Sequence, residues 1–120
     1  MIIYFRTKKL HKLCSQTKEM NKHYNKKNCR KLRRRLMELT SGATLSTISY
    51  LPPPRCHELI HRKGVFSVDL EHPLRLLFVP ADDPIPRKTD NGIDLSLVTE
   101  VEIIAIEDTH DPKNQRRGSL

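Results

Sequence analysis

Three groups of residues stand apart from the hydrophobic pattern of this 120-residue chain. His57 lies in the run Arg55-Cys56-His57-Glu58-Leu59-Ile60-His61-Arg62-Lys63-Gly64. Arg75 interrupts an otherwise apolar stretch, Leu74 to Val79. Glu107-Asp108-Thr109-His110 closes a β-branched segment. Two imidazoles and a guanidinium brought together would suit a phosphodiester. Histidine transfers protons near neutral pH, and arginine balances charge on phosphate oxygens. In RNA the 2′-OH is itself the nucleophile, so this chemistry needs no metal. The remaining cysteines and histidines point the same way. Cys14, Cys29 and Cys56 are odd in number and form no CxxC, which argues against a disulfide framework or a zinc site. His57 and His61 are four apart, with no further ligands spaced to join them.

These groups can meet only if the elements that carry them are neighbours. Ile2 to Phe5 reads as a strand, and Thr7 caps a short helix from Lys8 to Cys14, where Leu10 and Leu13 share a face. Ser15 to Asn25 is polar and reads as loop with part of a helix. Lys26 to Thr40 is the clearest helix: Cys29, Leu32, Leu36 and Leu39 form one apolar stripe. Lys26, Lys27, Arg30, Lys31, Arg33, Arg34 and Arg35 cover the rest, and Ser41-Gly42 ends it. Pro52-Pro53-Pro54 is a rigid connector.

Beyond the connector the period changes to two. Strands are expected over Arg55 to Ile60, Val65 to Leu70, Leu74 to Val79 and Val98 to Ile106. Phe66, Val68 and Leu70 share one face of their strand, and Leu74, Leu76 and Phe78 one face of the next. Residues 81–95, rich in Pro, Asp and Gly, are expected to be a mobile loop insertion, and 111–120 a disordered basic tail. The expected fold is α+β: a single domain over 1–110, with two N-terminal helices packed on a small, mostly antiparallel twisted sheet.

Charge divides unevenly. Residues 1–40 carry 13 Lys/Arg against Glu19 and Glu38, a net of +11, whereas residues 41–120 carry a net of −3. A positive field confined to the helical third points to a polyanion, with nucleic acid ahead of lipid. Apolar runs are too short to span a membrane, and Met1 to Arg6 has neither the n-region nor the cleavage site of a signal peptide. The expected location is the cytoplasm.

In order and spacing the chain resembles the RelE/HigB-type killer toxins of bacterial toxin–antitoxin modules, the plasmid maintenance killer group. The matching segments are the Ile-x-x-Phe-Arg strand with its Lys-Lys-Leu helix (Ile2 to Leu10) and the basic Asn28-Cys29-Arg30-Lys31-Leu32. They continue with the hairpin His57-Glu58-Leu59 … Arg62-Lys63-Gly64-Val65-Phe66-Ser67-Val68 … Arg75-Leu76-Leu77-Phe78, and end with Ile106 to His110. The resemblance implies a microbial-ribonuclease-like fold. It implies an endoribonuclease that enters the ribosomal A site and cuts messenger RNA without a cofactor, leaving a cyclic phosphate and a free 5′-OH. It implies basic helices on ribosomal RNA, and a cognate antitoxin, often of helix-turn-helix type. Residue by residue, His57 corresponds to the family's strand histidine, Arg75 to its hairpin arginine and His110 to its terminal histidine.

Two departures stand out. Ile60 occupies the place of a family lysine, and Thr109 that of a family tyrosine. His61, Arg62 or Lys63 would then have to supply the lost cation, or activity is reduced. A ParE-like gyrase inhibitor, toward which the two departures lean, or a noncatalytic remnant that binds RNA or antitoxin, are the alternatives; a gyrase inhibitor has no use for His57, Arg75 and His110 as a set.

Overall fold

The computed structural model describes residues 1–109. His110 and the 111–120 tail lie outside the described residues. Strand β1 (Ile2–Phe5) leads into three helices, α1 (Lys8–Ser15), α2 (Thr17–His23) and α3 (Lys26–Ser41). Four further strands follow: β2 (His57–Glu58), β3 (Phe66–Asp69), β4 (Leu74–Pro80) and β5 (Glu100–Asp108). They form one sheet in the order β1-β5-β4-β3-β2. β1 runs parallel to β5, and every other neighbouring pair is antiparallel. The α+β class and the mostly antiparallel sheet match the sequence expectation. The helical layer has three members rather than two.

The extra helix follows from a break. Thr7 caps α1 by accepting from the Leu10 N–H at 3.0 Å. At Gln16 the backbone is extended, so α1 stops and a new helix starts. α2 buries only Met20, and a single apolar contact leaves no period to read. Asn25 then caps α3 by accepting from Asn28 N–H at 2.9 Å. The end of α3 at Gly42 is extended, not left-handed. Glycine is required there for space, because a Cβ would sit 2.7 Å from Thr47 Oγ1 and 2.9 Å from Ile48 Cδ1. The Met1 ammonium donates to the carbonyls of Leu39, Thr40 and Gly42, at the electronegative end of the same helix.

The core lies between the helices and one sheet face. Met20, Cys29, Leu32 and Leu39 meet Phe66, Val68, Leu76, Phe78, Val101 and Ile103. β5 carries an irregularity that keeps this face apolar. Leu77 pairs with Ala105 but Phe78 pairs with Ile103, so Ile104 is an extra residue. The bulge lets Ile103 and Ile106, three apart, both join the core, and it leaves Glu107 opposite Arg75 on the other face.

β2 is shorter than the expected strand over Arg55 to Ile60. Arg55 adopts a left-handed φ of 47°, which no ladder residue can hold, and the chain beyond Leu59 turns through Gly64 at φ 83°. Within 81–95, Arg87 bridges Ile93 around Asn91-Gly92, and Ile93 packs on the core.

Arg35 does not lie on the exposed basic face of α3. It is 2% exposed. Its Nε donates to the Asp69 carbonyl at 2.8 Å, and its guanidinium pairs with Glu38 at 2.7 Å. Such a group joins helix to sheet, and its removal strands a carbonyl and a carboxylate. Arg35→Ala should therefore destabilise the protein by about 2–3 kcal/mol in urea unfolding. The neighbouring Arg34→Ala should cost less than about 0.5 kcal/mol.

Candidate functional site

Directly opposed residues of adjacent strands share a face. On the face turned away from the helices, one row contains His57, Ser67, Leu77 and Ala105, and the next contains Asp69, Arg75 and Glu107. The structure thus brings together His57 and Arg75, which are 18 residues apart. His57 Nε2 lies 3.4 Å from Arg75 Nη1, and His57 Nδ1 lies 2.9 Å from the Arg55 carbonyl oxygen. A carbonyl only accepts and a guanidinium only donates. The imidazole therefore carries its proton on Nδ1 and directs the Nε2 lone pair at Arg75.

Asp69 binds both arginines of this cluster. It receives Arg55 in a two-point pair, Nε to Oδ2 at 2.8 Å and Nη2 to Oδ1 at 3.1 Å. Its Oδ1 also lies 3.7 Å from Arg75 Nε. The hydrogen bond that Arg55 donates to Asp69 holds Arg55 above its ordinary pKa. Burial pulls Arg75 below its own, and the Arg55 charge adds to that shift while Asp69 and Asp108 oppose it. Anion binding at Arg75 would relieve this repulsion.

Ser67 lies between these groups in the sheet. It is fully buried, and its Oγ has no hydrogen-bond partner among the described residues. An orphaned hydroxyl in a core costs free energy. Burial pushes the thiol of Cys56, adjacent to His57, up to about 12, which disfavours the thiolate that a nucleophile needs.

The other sequence-predicted residues are dispersed. His61 and Lys63 are exposed on the β2–β3 turn, and no described hydrogen bond or ion pair joins them to His57 or Arg75. Lys63 instead lines a cleft of about 700 Å³ with Glu58, Ile60, Arg87 and Asn91. Arg62 is taken by Glu107 in a largely buried ion pair. Ile60 is 87% exposed and adds nothing to the core. His110 lies one residue past the described chain. Arg55, Ser67 and Asp69 complete the cluster, and sequence reasoning did not select them. The one available signal was that Ser67 and Asp69 alternate onto the polar side of β3.

The basic helix also resolves into parts. Lys31 pairs with Glu71 at 2.7 Å, Arg34 lies 3.9 Å from Glu38, and Arg35 is buried. Lys26, Arg30 and Arg33 instead line a cleft of about 270 Å³ between α2 and α3, together with Thr17 and Asn21. No carboxylate lines it. Lys27 is exposed on the same helix. Among the described residues no cluster of His, Cys, Asp or Glu could hold a metal ion, and no helix is long and apolar enough to cross a membrane.

No family model and no curated protein matches the chain.

Two outcomes are expected from this geometry. Replacing Lys26, Arg30 and Arg33 together by Gln should weaken binding to single-stranded RNA and lower its log–log salt slope by about 2. The double change Lys31→Gln, Arg34→Gln should alter the slope far less; equal effects would reduce the α2–α3 cleft to a solvated surface. Ser67→Ala removes an unsatisfied buried group, so urea unfolding should show stability kept or raised, by about 1 kcal/mol.

Proposed function

We propose that this chain is the toxin of a toxin–antitoxin module and acts as a ribosome-dependent messenger-RNA endoribonuclease. The observation that carries this reading is the contact of His57 Nε2 with Arg75 at 3.4 Å on the sheet face away from the helices, where His57 is partly exposed. The resemblance to RelE/HigB-type toxins supplies the substrate, and the helical cations supply a surface for ribosomal RNA.

The chemistry follows from the atoms. A scissile phosphate draws the Arg75 guanidinium to its oxygens and away from His57. The Nε2 lone pair is then open to the 2′-OH proton. As that proton moves to His57, the 2′-oxygen bonds to phosphorus and the bond to the 5′-oxygen breaks. The products are a 2′,3′-cyclic phosphate and a 5′-OH. The leaving oxygen needs a proton, and His110, next in the chain after Thr109, is the group that the resemblance offers for it. His61 and Lys63 sit at the mouth of the hairpin as exposed sources of positive charge for the message. Partners on this reading are the ribosome, its message and an antitoxin, with no cofactor, in the cytoplasm.

The test is induction of the chain in bacteria, with cut ends mapped in total RNA. Cuts inside translated messages are expected. They should vanish in Arg75→Ala and fall roughly 10²–10⁴-fold in His57→Ala. Intact messages with lost DNA supercoiling would transfer the chain to the gyrase-inhibitor reading. Intact messages with normal growth would leave the noncatalytic one.

A further inference from the structure

We infer that Arg55 and Asp69 are positioning residues that set the tautomer and facing of His57. The inference rests on the reading of His57 as a proton-transfer group, but its structural content stands apart from any activity. Arg55 holds a left-handed φ of 47°, a conformation that crowds the β-carbon of any residue but glycine. Nothing in an arginine favours that backbone, so the surroundings must impose it. The Arg55 N–H donates to the Leu51 carbonyl at 3.1 Å and the Cys56 N–H to the Ser49 carbonyl at 2.9 Å, and Asp69 adds two further anchors. The Asp69 N–H donates to the Pro54 carbonyl at 2.8 Å, immediately before Arg55. The Asp69 carboxylate takes the Arg55 guanidinium at two points.

The consequence falls on the Arg55 carbonyl. It accepts from His57 Nδ1 two residues on, at 2.9 Å. In free histidine the Nε2–H form is the commoner neutral tautomer. A fixed acceptor at Nδ1 reverses that preference and leaves the lone pair on Nε2, where Arg75 lies. The same carboxylate lies 3.7 Å from Arg75 Nε, so one anion places both the residue that orients the imidazole and the cation that faces it. Asp69 is fixed in turn through its own carbonyl by the buried Arg35. An orienting group of this kind resembles the aspartate of a hydrolase triad in effect, although here the contact to the ring is made by a main-chain oxygen.

The measurement is a long-range ¹H–¹⁵N correlation spectrum of the histidine rings, taken well above the imidazole titration. The His57 signals are assigned by their loss in His57→Gln. The wild type should show a protonated Nδ1 and an unprotonated Nε2. Arg55→Gly keeps the left-handed backbone accessible and removes only the anchor; its His57 signals should move toward the Nε2–H pattern, as should those of Asp69→Asn. Arg55→Lys should restore part of the wild-type pattern. The amide fingerprint confirms that each variant is folded. A wild type already in the Nε2–H form overturns the inference, and so does an unchanged Nδ1–H form in both Arg55→Gly and Asp69→Asn. Where the chain cleaves RNA, both variants should lower kcat by about 10- to 100-fold with KM little changed. If it does not cleave RNA, the ring nitrogens still decide the matter.

Discussion

Asp69 at the end of β3 joins three parts of this molecule through its main chain and its side chain together. Its carbonyl anchors the buried Arg35 of α3, its N–H holds Pro54, and its carboxylate gathers Arg55 and Arg75. The helix layer, the connector and the sheet face away from the helices therefore meet at one residue. The charge count explains why this matters. Residues 41–120 are net negative, yet around His57 the cations are not outnumbered: Arg55 and Arg75 stand against Asp69 and Asp108. Arg62 adds nothing, because Glu107 neutralises that cation locally. The balance of the site is a property of arrangement rather than of composition.

The elements that carry the site were largely legible before folding. The stripe of Cys29, Leu32, Leu36 and Leu39 marks α3, and alternation in β3 and β4 assigns Arg75 and Asp69 to the side away from the core. Hidden features depend on contacts far apart in the chain. Arg35 reads as one more solvated cation because nothing local reveals the Asp69 carbonyl 34 residues away. Arg55 has no signature for a left-handed backbone, since that conformation is held by contacts with Leu51, Ser49 and, 14 residues later, Asp69. α2 escaped periodicity because Met20 is its only buried residue. Ser67 looked like an ordinary polar strand position, and only burial without a partner sets it apart.

The two candidate interaction regions belong to different layers. Lys26, Arg30 and Arg33 sit on α3, which packs on one sheet face, while His57 and Arg75 belong to the other. That second face is not open: Ser67 and Leu77 are fully buried and Arg75 nearly so, with His57 partly exposed beside them. On the proposed reading affinity and chemistry would be separable, with charge on the helices governing capture and the sheet face governing what happens to the captured strand.

The extra residue at Ile104 bears on how sequences of this kind can vary in length. Side chains on a strand alternate, so a regular β5 would set Ile103 and Ile106, three apart, on opposite faces; the extra residue is what puts both on the core side. Deleting it would restore a regular ladder in which Ile106 stays inward and Glu107, the acid that holds Arg62, stays opposite Arg75. Insertions in the 81–95 segment change no sidedness either, because a loop has no parity to preserve. Descendants of this sequence should therefore tolerate gaps between β4 and β5 and the loss of the one bulged residue, but not a single deletion within β4, which has no extra residue to absorb it.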